Sequence, residues 1–261
     1  MGTMSATFEQ WLEFVFNNPV RMREWYWDED FDSRLEALEL TDAIIVQYMT
    51  RLFLELGVLR PYSLDQVDQG LWFLLGESSP GCSSKTLLRH EAALRDRVAC
   101  IHAMSSFFRN FILAVTPGHF DPKAPTVGVT GVAYMWWDIS PMRFYMRSHV
   151  PGLTGPAALL SIVEKWKLGA ELHDAVLKEM ADELELEIGP EIHQATLRVM
   201  SEVLDLPSEL CQFSALHGLG HWHAEHPEQV ERIVDAFLTR HKDLRPHLIE
   251  YASRARLGSV L

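Results

Sequence analysis

The chain is predicted to be all-α. Apolar residues recur at three- and four-residue steps through most of its 261 residues, the runs open on capping residues and close on glycine or proline, and no stretch alternates polar with apolar as a half-buried strand does. The clearest unit runs from Cys211 to Leu238. Cys211, Ala215, Leu219 and Trp222 fall on one side of a helix and leave a polar side opposite. Pro227, with Glu228 and Glu231 near the positive helix end, then starts a second helix. Its Val230, Ile233, Val234, Phe237 and Leu238 form a stripe broad enough to pack back on the first. The unit reads as a helical hairpin.

The other elements follow by the same logic. Ser5 to Asn17 gives a polar cap, a helix with Phe8, Trp11, Leu12, Val15 and Phe16 inward, and a proline stop. Trp25 to Phe31 packs three adjacent aromatics before three acids without a period, and is expected to be a loop whose rings plug a groove between helices. Thr41 to Leu56 is a helix with Gly57 as its stop, and Ser63 caps the next, with Gln66 placed for a reciprocal capping box. Glu77 to Ser84 is built of turn formers. Leu87 to Leu113 reads as one bent helix or two, and the proline-rich 116–126 stretch as a long connection. Val129 to Ile139 is a helix in which Trp136 and Trp137 point about 100° apart, so only one should lie deep while the other nears the rim. Helices are also expected from Thr154 to Trp166, from Glu171 to Ile188 with an acidic outer face, and from Leu244 to Arg256 with Leu248, Ile249, Ala252 and Ala255 inward.

Gly218 and Gly220 are costly inside a helix, each by about 1 kcal/mol relative to alanine, and close approach of a neighbouring helix would offset this. The pattern Ala-Leu-x-x-Leu-Gly followed by a proline-led amphipathic helix resembles a HEAT repeat, best over 205–258. More loosely, Met135-Trp-Trp-Asp-Ile-Ser-Pro141 and Ala215-Leu-His-Gly-Leu-Gly-His221 make the chain similar to uncharacterised bacterial HEAT-like (armadillo-type) proteins. That resemblance implies a scaffold and names no reaction. The expected architecture is a single domain over 1–261, of stacked helical hairpins forming a compact HEAT-like α-solenoid or α-α superhelix. Its layers would be 1–76, 85–115 and 127–204, with the HEAT-like part at 205–258.

Composition narrows the function. A net charge of −13 disfavours a groove that tracks phosphates, so no nucleic acid is expected as ligand. No apolar run reaches the roughly 18 residues of a membrane helix without charges such as Arg51 and Arg109, and the first residues lack a basic and apolar leader. No membrane partner is therefore expected, and a cytoplasmic location is. Cys82, Cys100 and Cys211 are too scattered for a disulfide framework or a thiolate metal site.

Catalytic signatures are missing: there is no G-x-S-x-G elbow, no Walker loop, and Gly218-Leu-Gly220 lies inside a helix instead of after a strand. The acid pair Glu183 and Glu187 shares a helix side and has no pocket attached. His217 and His221 stand four apart on one helix face, the spacing that lets two imidazoles share an ion. The metalloprotease glutamate is missing between them, and a third ligand would have to come from His226, Glu171, Asp174 or another distant acid. The favoured reading is structural, with no metal and no cofactor. The function expected is a protein–protein scaffold or adaptor, binding and neutralising a basic partner in the manner of an immunity protein. Its contact residues would be Trp136, Trp137, Asp138, His217, His221 and Trp222. The alternative is a metal-dependent hydrolase using His217, His221 and His226. The sequence sets no oligomeric state.

Overall fold

The computed structural model describes residues 5–76, 79–81, 83–116, 118–124, 127–140 and 190–260. Among them the chain is helical, with no strand. Helix α1 (Phe8–Phe16) starts at Thr7, whose hydroxyl accepts the Gln10 amide while the Gln10 side chain returns to the Thr7 amide. Its Phe8, Trp11, Leu12, Val15 and Phe16 are buried, as the spacing predicts. After a 3-10 turn at Trp25–Trp27 comes α2 (Phe31–Glu36). Trp25 and Phe31 meet Phe14 and Phe73 in one ring cluster, so this segment is the aromatic plug, with Trp27 left 43% exposed. Helix α3 (Asp42–Leu54) is capped by Thr41, and α4 (Leu64–Leu75) carries the reciprocal capping box of Ser63 and Gln66.

The apolar run from Leu87 does not become helix at once. Ser83–Leu87 is a 3-10 turn, and α5 (Leu94–Phe107) continues through a π turn at Phe108–Ile112 into α6 (Leu113–Val115). Leu87 and Leu88 are buried without α-helical backbone, and periodicity alone does not separate such a buried turn from a helix. Leu94–Val115, at 22 residues, is long and apolar enough to cross a membrane by length and composition, contrary to the expectation that no stretch would be. A core helix of a globular bundle passes the same test, and α5 packs on both α3 and the later helix Pro190–Leu204.

The later helices are α7 (Val129–Ile139), α8 (Pro190–Leu204), α9 (Glu209–Trp222), α10 (Pro227–Arg240) and α11 (Pro246–Ala255). The expected hairpin is therefore α9 and α10. The helices expected at 154–166 and 171–188, with Glu183 and Glu187, lie outside the described residues, as does Cys82. Cys100 and Cys211 are buried free thiols.

Helix α9 is the centre of the packing, since α7, α8, α10 and α11 all lie against it. The polar side expected of it is absent: every residue from Leu210 to Gly220 is buried, with Trp222. Its small residues explain this, because serine, alanine and glycine let neighbours close on faces that a count of apolar side chains reads as polar. Gly218 does take the close approach expected, against Trp137 of α7 and Met200 of α8, while Gly220 meets Val260 of the C-terminal tail. Helix α7 lies between α4 and α9, so both tryptophans are buried, Trp136 at 0% and Trp137 at 1% exposure, where the sequence predicts one near the rim. Trp136 faces Phe53, Phe107 and Phe108; Trp137 stacks on Phe108. In α11 it is Tyr251 that turns inward with Leu248, Ala252 and Ala255, whereas Ile249 stays 41% exposed.

Candidate metal centre

Helices α7 and α9 present matching stripes, Ala133, Tyr134, Trp137 and Asp138 on one and Ser214, His217, Gly218 and His221 on the other. Contacts climb together along both. The Ser214 hydroxyl donates to the Ala133 carbonyl at 2.5 Å, Gly218 lies against Trp137, and Asp138 reaches the two histidines. The absent Cβ at position 218 thus sets the helix separation one turn from the polar group.

Three ligand-type atoms converge there. His217 Nε2 and His221 Nε2 are 3.3 Å apart, His217 Nε2 is 3.7 Å from Asp138 Oδ2, and His221 Nε2 is 3.5 Å from Asp138 Oδ1. Metal–ligand bonds of about 2.0–2.1 Å at tetrahedral angles place the ligand atoms about 3.4 Å from one another. With one carboxylate oxygen facing each imidazole and a ligand atom from each residue within 4.8 Å of the others, the three residues stand close enough to share one ion. They are also shielded, with His217 only 2% exposed and the Asp138 and His221 side chains largely buried. An imidazole pair and a carboxylate form a donor set for zinc and its first-row neighbours, softer than the all-oxygen shells of calcium or magnesium.

Two tyrosines stand behind His217. Its Nδ1 is 2.8 Å from the Tyr251 hydroxyl and 3.3 Å from that of Tyr134, and the two hydroxyls are 2.9 Å apart. The Tyr134 ring stacks on the imidazole at 4.6 Å. Burial pushes the Tyr251 phenol far above its ordinary range, and the neighbouring Tyr134 adds to that; burial likewise raises Tyr134. Both remain neutral hydroxyls at physiological pH.

The other acids and histidines fall elsewhere. His226 pairs with His193, Nε2 to Nδ1 at 3.1 Å, and stacks on Trp222, so it is no third ligand to His217 and His221. Burial lowers its pKa against the opposing charge of Glu225. Glu171 and Asp174 lie outside the described residues. A second group, His119, Glu209 and His247, also gathers three ligand-type atoms. Here Glu209 already has a cation, Arg245 Nε at 3.1 Å, beside the His119 ring and the Phe120 amide at 3.0 Å. An arginine in contact with the group's carboxylate competes with a metal, and the group reads as an ion-pair network. It borders an open cavity of about 340 Å³ lined by Lys123, Phe213, His247, Tyr251 and Arg254 among others.

Of the six residues expected to hold a partner, the structure brings Asp138, His217 and His221 together. It places Trp136, Trp137 and Trp222 inside the core, at 0%, 1% and 1% exposure. Rings with no surface offer a partner no anchor as they stand. The sequence gives no signal that Tyr134 or Tyr251 belongs to the site, and it offers Asp138 only as a contact residue for a protein partner. Its position at the C-terminal end of an apolar helix, four residues after Tyr134, was the one available clue. No family model matches the chain, nor does any curated protein or solved structure, so the meaning of the site rests on its own geometry.

Proposed function

We propose that the protein holds one divalent first-row metal ion, zinc foremost, through Asp138, His217 and His221, and that this centre is the seat of a hydrolytic activity. The observation that carries the reading is that each of the three residues offers a ligand atom within 4.8 Å of the others, the two Nε2 atoms lying 3.3 Å apart and the Asp138 carboxylate facing His221 through Oδ1 at 3.5 Å and His217 through Oδ2 at 3.7 Å. Three protein ligands leave a coordination position for water or substrate, as catalytic zinc sites do, whereas structural sites close with four. The ion would supply Lewis acidity and a water acidified toward neutral pH. The hydrolase alternative drawn from the sequence is thereby kept, with Asp138 in place of His226. Protein purified without chelator should carry about one equivalent of zinc by elemental mass spectrometry, and His221→Ala should carry none while keeping its helical circular dichroism. Wild-type protein that stays metal-free after incubation with zinc, or His221→Ala that retains it, would contradict the proposal.

The adaptor role is the second reading, and one observation favours it. Val20, Met22 and Trp27 are large apolar side chains left exposed within one short segment that also carries Glu24, Asp28, Glu29 and Asp30, of which Asp28 is already paired with Arg21. A basic partner would then use this surface instead of the buried tryptophans. Trp27→Ala should speed dissociation of such a partner without moving the melting temperature; unchanged dissociation would remove this surface from the reading. We also propose that 205–258 is HEAT-like and that the helical pairs stack as an α-solenoid. Support comes from the packing of α9 on α10 and of α10 on α11, and from the glycine at the closest helix approach.

A further inference from the structure

We infer that Tyr251, with Tyr134 behind it, is the positioning residue of the metal centre: it holds His217 with its proton on Nδ1 so that Nε2 is free to ligate. The inference rests on the metal reading above. A ligating imidazole must present an unprotonated nitrogen to the ion, and the hydrogen bond made by its other nitrogen decides which one that is. In His217 the nitrogen that faces Asp138 and His221 is Nε2, and the one that faces the tyrosines is Nδ1.

The choice of tyrosine matters. The 3.3 Å approach of the two Nε2 atoms requires one of them to donate when no ion lies between them. If His217 donates, its Nδ1 accepts from the Tyr251 hydroxyl. When both Nε2 atoms ligate, each ring keeps its single proton on Nδ1, so His217 Nδ1–H must donate instead. A carboxylate could accept only. A hydroxyl can do either: Tyr251 then accepts from Nδ1–H at 2.8 Å and passes its own O–H to Tyr134, 2.9 Å away. The hydroxyl bonds reverse by rotation without movement of a heavy atom, and the proton released from His217 Nε2 is balanced by one taken up at Nδ1, so the net charge of the group does not change. The stacked Tyr134 ring also stops the imidazole from turning about its Cβ–Cγ bond. Tyr251 belongs to α11 and lines the open cavity beside Lys123 and Arg254, so the outer shell of the centre comes from a third helix and borders solvent-accessible space.

The test uses the full-length chain with Co²⁺ as probe, followed by its visible absorption, and compares wild type with Tyr251→Phe, Tyr134→Phe and Tyr48→Phe. Tyr48 also spends its hydroxyl inside the protein, on the Ala6 carbonyl, and serves as control. Tyr251→Phe should weaken Co²⁺ binding by about 10–100-fold, Tyr134→Phe by less, and Tyr48→Phe not at all. Nitrogen-15 spectra of histidine-labelled wild type loaded with Zn²⁺ should show one ring, missing in His217→Ala, with Nε2 ligated and Nδ1 protonated. That spectrum needs no tyrosine variant, so it decides the matter even if Tyr251→Phe fails to fold. Wild type that binds Co²⁺ while folded Tyr251→Phe binds it equally well overturns the positioning role alone, as does a ligated His217 Nδ1. Wild type that binds neither ion overturns the metal reading itself.

Discussion

Gly218→Ala should destabilise the protein, although alanine is the better helix former. An alanine Cβ there would lie 2.5 Å from Trp137 Cβ and 2.7 Å from both Trp137 Cγ and Met200 Sδ. Carbon atoms pack best at about 3.5–4.0 Å, so a gap of about 1 Å has to open. The Met200 thioether can swing aside. Trp137 Cβ cannot, because it is fixed to the α7 backbone and its ring is fully buried. Helices α7 and α9 must part instead. Overpacking of this kind costs about 1–3 kcal/mol, with the upper half expected against a backbone-anchored atom. Alanine returns about 1 kcal/mol of helix propensity, and the net loss is about 1–2 kcal/mol. For a chain of this size the melting temperature should fall by about 2–8 °C in scanning calorimetry. Gly57→Ala is the control: a Cβ added there would meet no atom within 4 Å, so its melting point should stay level or rise slightly. Gly218→Ala melting at or above wild type would refute the idea that close approach is what offsets this glycine. Because the same crossing sets the distance from Asp138 to the histidines, the variant should also bind zinc more weakly.

Three further outcomes are expected. Trp136→Ala empties a site walled by Phe53, Phe107 and Phe108 and should cost about 3–5 kcal/mol in urea unfolding, with a proportionate fall in midpoint. Asp68 has its carboxyl pushed up to about 7 by burial and by the charge of Asp65, so the folded state holds a proton that the unfolded chain releases. Its contribution therefore declines as pH rises from about 4 toward that value, and Asp68→Asn should raise the melting temperature at pH 8 relative to wild type while changing little at pH 4. Glu209 behaves in the opposite sense. Burial would raise its carboxyl, but the bonds from His119 and the Phe120 amide and the charge of Arg245 outweigh this and hold it low. The stability it contributes is complete above the ordinary carboxylate range and is lost as pH falls through its depressed folded value, so the gap between wild type and Glu209→Gln should close in acid.

What could be read in the sequence was local, and what could not was tertiary. The capping boxes at Thr7 with Gln10 and at Ser63 with Gln66 are settled within one turn of chain, and the proline starts at Pro227 and Pro246 are single-residue effects. The all-round burial of α9 was not legible, because Ser214, Gly218 and His217 count as polar or neutral until the helices that cover them are known. Trp137 misled for a related reason. Helical geometry rightly separates it from Trp136 by a third of a turn, but α7 has neighbours on both sides, so neither ring has a rim to occupy. The histidine pair was visible from its spacing, whereas its carboxylate lies on another helix far away in the chain. Only the crossing at Gly218 brings Asp138 within 3.5 Å of His221 and 3.7 Å of His217. Tyr251 carried no pattern at all, since it reaches His217 from a third helix.

The most direct test of the central claim is X-ray absorption at the zinc edge of the full-length protein loaded with one equivalent of Zn²⁺. The geometry predicts a first shell of nitrogen and oxygen at about 2.0–2.1 Å with outer-shell scattering from two imidazoles, His217 and His221. In Asp138→Asn the imidazole scattering should persist while affinity drops, and in His217→Ala it should fall to one ring or vanish with the metal. Three imidazoles, a sulfur ligand at about 2.3 Å, or a shell unchanged in Asp138→Asn at undiminished affinity would contradict the assignment of Asp138, His217 and His221 as the ligand set.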